Sequence, residues 1–206
     1  MQGHKVQGHK APGHEAQGQS VTRLTDPKAL RAYAHPVRMR LIGLLRTRGP
    51  LTATQAARLT GESSGTCSFH LRQLAKYGLV EEADGGTGRE RPWRATTMYT
   101  SIEDDAGDPA AAAAGALVRS VVADMYFERV GRWLDRRGQE PAQWRDAALF
   151  GDRFIYLTAG ELAELGDKIE ELIDVYVRRL VRPEERPRDA REVSMLLFAF
   201  PQEEAP

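Results

Sequence analysis

Phe69, Arg72 and Lys76 recur at helical spacing in the stretch 64–77, SGTCSFHLRQLAKY, with Thr66, Ser68 and Gln73 on their flanks. Hydroxyl and amide side chains hydrogen-bond base edges, an arginine reads guanine through two bonds, a lysine meets a phosphate, and a phenyl ring packs on a thymine methyl. The face is polar and cationic with no carboxylate, so the chemistry it suits is contact with the major groove of a duplex. The other side of the same helix carries Cys67, Leu71 and Leu74, with His70 at its edge. A merely solvated amphipathic helix would show the same pattern, so the neighbouring segments decide between the two.

Those neighbours supply a frame. Thr52 and Gln55 make a capping box that starts a helix near Ala53, small residues Ala56 and Ala57 let a second helix lie close, and Gly61 stops the run. Ser63 or Ser64 then caps the helix that ends at Gly78. Two short helices around a glycine turn are a helix-turn-helix candidate. Beyond them, Leu79 and Val80 begin a strand, Asp84-Gly85-Gly86-Thr87-Gly88 turns the chain, and Arg89 to Tyr99 return as one strand. Arg89, Arg91 and Arg94 cluster near the tip of this hairpin, within reach of phosphates or a narrow minor groove. Upstream, Asp26-Pro27 and His35-Pro36 open two helices that would back the pair, the second ending at Gly49-Pro50.

Four segments in this order, AHPVRMRLIGLL (34–45), SFHL (68–71), LRQLAKYGLVEE (71–82) and RERPWR (89–94), resemble the winged-helix domain of ArsR-type transcriptional regulators. The resemblance covers roughly a third of the chain. It implies a DNA-binding regulator, a repressor rather than an activator, and it places Ser64, Thr66, Ser68, His70 and Arg72 at DNA-contacting positions. The chain departs from the metal-sensing branch, because the helix from Ala53 to Thr60 has no cysteine pair. No cofactor or metal is therefore expected.

The net charge of zero over 206 residues hides an uneven distribution. Residues 23–102 hold thirteen Lys and Arg against six Asp and Glu, a net of +7; residues 103–206 hold fourteen against twenty-two, a net of −8. A basic winged helix joined to an acidic half suits a module that grips phosphates beside one that does not. The one cysteine, Cys67, cannot close an internal disulfide and falls on the inward face, where packing is its expected role. No run of eighteen apolar residues and no secretion signal is read, so no membrane partner is expected and the expected compartment is the cytoplasm. Catalytic motifs of the hydrolase, phosphate-loop and zinc-protease types are missing, which argues against an enzyme.

The expected fold is mainly α (α+β). Residues 1–22, with His4, His9 and His14 at constant spacing, read as a disordered tail; 23–102 as the winged helix-turn-helix; 103–112 as a linker; and 113–206 as a dimerisation and effector domain. In that last part a long helix from about Ala110 to Arg137 carries a broad apolar stripe, and Thr158 with Glu161 opens another. Residues 153–157 and 193–200 read as two strands of a small sheet. The aromatic residues here either enclose a small apolar effector or fill the core and the seam of a homodimer on a palindromic operator. The rival function is a winged helix that binds another protein without touching DNA.

Overall fold

The computed structural model describes residues 21–86, 90–102 and 108–202. The histidine-bearing tail up to Ser20, Thr87 to Arg89 of the wing, and residues 103–107 of the expected linker lie outside the described residues. The chain divides into two compact units, one of residues 19–151 and one carrying 152–206.

The first unit is organised by local caps. Asp26 accepts from the backbone N–H groups of Lys28 (3.2 Å) and Ala29 (3.1 Å), and Pro27 occupies the first position of α1 (Pro27–Tyr33). His35 does the same for α2 (Pro36–Arg48), its Nδ1 accepting from Val37 N at 3.2 Å. The expected capping box of Thr52 and Gln55 opens α3 (Ala53–Thr60), and Gly61, at φ 78°, closes it. Ser63 is the cap of α4 (Ser64–Lys76), its Oγ accepting from Thr66 N at 3.0 Å. Leu30, Leu41, Ile42, Leu71 and Leu74 are fully buried in one core, and Ala56 is the small residue that lets α3 and α4 touch.

The wing is shorter than expected. β2 (Val80–Glu82) pairs antiparallel with β3 (Trp93–Ala95), and Leu51 extends the sheet through two backbone bonds with Trp93, 3.0 and 2.8 Å long. The single return strand read from Arg89 to Tyr99 breaks after Ala95. There the side chains of Thr96 and Thr97 bond backbone carbonyls, Thr96 Oγ1 donating to Gly78 O (2.7 Å) and Thr97 Oγ1 to Tyr99 O (2.9 Å). Such local bonds compete with a ladder. The chain then forms β4 (Tyr99–Ile102), which pairs in parallel with β1 (Val21–Leu24), so Val21 and Thr22, read as part of the tail, belong to a strand. Arg46 locks this junction, its guanidinium donating to Thr97 O (2.9 Å) and Thr100 Oγ1 (2.7 Å) from a partly buried site that lowers its pKa.

The wing turn also explains one glycine. Gly86 has φ 98°, and a Cβ there would collide with the carbonyl oxygen of Glu90. Gly86→Val is expected to destabilise the unit by about 1–3 kcal/mol and to broaden the wing's amide resonances, with urea unfolding and a proton–nitrogen correlation spectrum as the measurements.

α5 (Pro109–Arg136) does not begin a separate domain, as the expected boundary would have it. Ala111, Ala114 and Val118 are buried, α5 packs on α1, and Ala114 and Val118 belong to the winged-helix core. Its later turns expose Phe127 and Leu134. By length and composition this helix could cross a membrane, with 22% of that stretch buried; one face of its first half packs in the core. A short 3₁₀ turn (Arg137–Gln139) and α6 (Ala142–Ala147) complete the unit.

The second unit centres on α7 (Ala159–Val181), opened by the expected box in which Glu161 Oε2 accepts from Thr158 N at 2.8 Å. Residues 153–157 and 193–200 are not strands, which corrects the expected C-terminal sheet. An apolar run makes a strand only when a ladder takes its backbone groups, and these two runs do not pair with each other. Phe154, Tyr156 and Phe198 are exposed rather than gathered around an enclosed effector cavity. The chain is mainly α, with a winged helix-turn-helix near its N-terminal end.

Candidate nucleic-acid interface

α4 turns a polar face to solvent directly over a buried core. Cys67, Leu71 and Leu74 have no exposed surface, while Phe69 is 51% exposed and Ser64, Arg72 and Lys76 are exposed with it. Thr66, Ser68 and Gln73 line the flanks half-buried. Thr66 Oγ1 is also 2.9 Å from Ser63 Oγ, so the cap fixes the first hydroxyl of the row. Among the described residues neither Arg72 nor Lys76 takes part in an ion pair, which leaves both charges available to a polyanion.

Residues 33–83 match the family model described as a helix-turn-helix domain. These residues form a helix-turn-helix domain. The matched span takes in α2, α3, α4 and β2, which are the elements that set α4 on its core. No curated protein matches the chain. A helix-turn-helix domain supports a DNA-binding regulator.

The wing of this helix-turn-helix differs from the sequence expectation in charge. Antiparallel register sets Glu81 opposite Arg94, and the two side chains bond at 2.8 Å; Arg91 reaches Glu82 at 3.3 Å. Glu90 accepts from Thr54 Oγ1 (2.7 Å), tying the wing base to α3. Arg91 and Arg94 are thus each paired with a carboxylate of β2, and Arg89 lies outside the described residues. Exposed pairs of this kind are worth only about 0–1 kcal/mol, so a phosphate can replace either glutamate at little cost. The signal for these partners was the EE of residues 81 and 82, legible only once the register is known.

His70 does not face outward with the other residues assigned to DNA contact. It is 8% exposed, its ring lies 4.5 Å from that of His35 and 5.3 Å from that of Phe69, and its Nδ1 has no hydrogen-bond partner. Arg38 stands close by, with Nε also buried and unpartnered and Nη2 donating to Arg31 O (3.3 Å). Arg40 donates to Thr60 O (3.2 Å). Both arginines brace the scaffold.

Burial is the main cause that lowers the pKa of both histidines; the Arg38 charge adds to it, and Glu62 opposes it weakly. A histidine with a depressed folded-state pKa supplies stability that is complete above its unfolded value of about 6.5 and is lost as pH falls through the folded value. Protonated His35 also cannot accept the Val37 N–H, so α2 loses its cap. The melting temperature is expected to drop between about pH 7 and pH 5. His70→Leu should flatten that drop, and an unchanged pH profile in this variant would refute the assignment.

Proposed function

We propose that the protein is a transcriptional repressor of the ArsR type that binds a palindromic double-stranded site as a homodimer in the cytoplasm. The observation that carries this reading is the face of α4, where Arg72 and Lys76 are unpaired among hydroxyl and amide side chains above a fully buried core. Arg72 and Gln73 read base edges, Ser64, Thr66 and Ser68 hydrogen-bond bases or phosphates, and Phe69 meets a thymine methyl. Lys76 takes a phosphate, while Arg91 and Arg94 exchange Glu82 and Glu81 for the backbone beside the groove. Two copies about 34 Å apart would meet successive turns of one palindrome.

Selection of bound sequences from a random duplex pool, followed by titration at several salt concentrations, tests this. The expected outcome is one enriched palindrome and a steep fall of affinity with salt. Binding without sequence preference, or without salt dependence, would defeat it.

One observation favours a second reading, a surface for another protein. The wing arginines already hold carboxylates at 2.8 and 3.3 Å, and Phe69 offers an exposed ring of the kind found at interface centres. Under that reading duplex affinity stays weak for every sequence in the pool.

A further inference from the structure

Unit two leaves many large apolar side chains open to solvent. None of its described residues is buried. Phe154, Tyr156, Tyr176, Phe198 and Phe200 are all more than half exposed. Aromatic side chains cover about 150–250 Å² each when packed, so with the leucines of α7 the open apolar area is on the order of 1,000 Å². A stable interface takes about 800 Å² from each partner. A small effector is too small to cover such an area.

Within it, α7 carries a stripe with the spacing of a two-helix seam: Leu162, Leu165, Ile169, Leu172, Tyr176 and Leu180. The charges along the helix are polarised. From Ala159 to Glu171 there are five carboxylates and one lysine; from Leu172 to Arg182 there are one carboxylate and three arginines. Glu161 and Arg179 stand eighteen residues apart, which is five full turns, so both lie on the same flank of the stripe. A helix whose acidic start and basic end share one flank is complementary to itself only when a second copy runs the other way.

We infer that α7 pairs antiparallel with α7 of a second copy, about a two-fold axis near residues 170–171, with Glu161 of each copy against Arg179 of the other. Leu165 then packs on the mate of Tyr176, and Ile169 on the mate of Leu172. A parallel pair would set acidic half on acidic half and is disfavoured. The antiparallel pair leaves one unfavourable contact, Glu170 beside its own mate at the axis. Arg178 and Arg182 stay with Glu185, at 3.2 and 2.9 Å, and brace the end of the helix.

This inference rests on the homodimer of the proposed function and says which surface makes it. The test is disulfide capture in the full-length protein, whose own Cys67 is fully buried. Three variants are oxidised and run on a non-reducing gel: Glu161→Cys, Arg179→Cys, and the two together. Within one chain the two positions are about 27 Å apart, too far for an internal bridge. The expected result is a covalent dimer from the double variant at least about tenfold faster than from either single one. Equal capture of the single variants would indicate parallel helices and overturn the inference. A protein that sediments as a dimer but is captured in none of the three overturns this surface and spares the homodimer. A monomer at tens of micromolar overturns both.

Discussion

Arg72→Ala is expected to lower affinity for the selected duplex by about five- to 150-fold, the equivalent of about 1–3 kcal/mol, and to relax preference at one base pair. The argument is one of position. Arg72 projects from the exposed side of α4 one residue beyond the fully buried Leu71, it is unpaired among the described residues, and the core beneath it fixes its direction. Its removal leaves a guanine edge without its two donors. Arg91→Ala differs, because Arg91 is held on Glu82 at 3.3 Å at the wing and meets phosphate only by exchange. Its loss should weaken binding to all sequences alike and reduce the salt slope by about one. Equal and small effects from both substitutions, measured by anisotropy titration on matched and mismatched duplexes, would refute the assignment of base reading to Arg72.

Leu71→Ala is expected to destabilise the first unit by about 2–5 kcal/mol, the largest stability change foreseen. Leu71 has no exposed surface and sits in the cluster that joins α1, α2 and α4 to α5. Truncation opens a cavity that three helices cannot all close. Urea unfolding measures the loss, and a change below about 1 kcal/mol would mean that the site collapses or that the core lies elsewhere. Because α4 carries the candidate DNA contacts on its other face, the variant should also bind DNA more weakly in proportion to the unfolded fraction.

The helix-turn-helix was legible because its signals are local. Thr52 with Gln55, Gly61 and the serine before Ser64 act within four residues of the backbone groups they satisfy. What depended on distant partners was not legible. The pairing of Arg94 with Glu81 needs the register of β2 and β3. The capture of Tyr99–Ile102 by Val21–Leu24 joins segments far apart in sequence. His70 lies at the edge of the apolar face by periodicity, and the ring of His35, at the cap of α2, packs 4.5 Å from it. The eight-residue apolar run at 193–200 satisfied every local criterion for a buried strand, yet a strand also requires a neighbour. The pattern of residues specifies the need for a ladder without specifying which chain provides it.

The way α5 is held bears on signalling. Its first three turns are clamped against α1, Val121, Val122 and Met125 still pack on the core, and the turns beyond Met125 continue as one unbroken helix. With about 16 Å of helix beyond Met125, a rocking of roughly 10° at the clamp would sweep the far end through about 3 Å. A rod held this way would work as a lever, carrying a small adjustment at its fulcrum to a displacement of about half a helical turn at its tip.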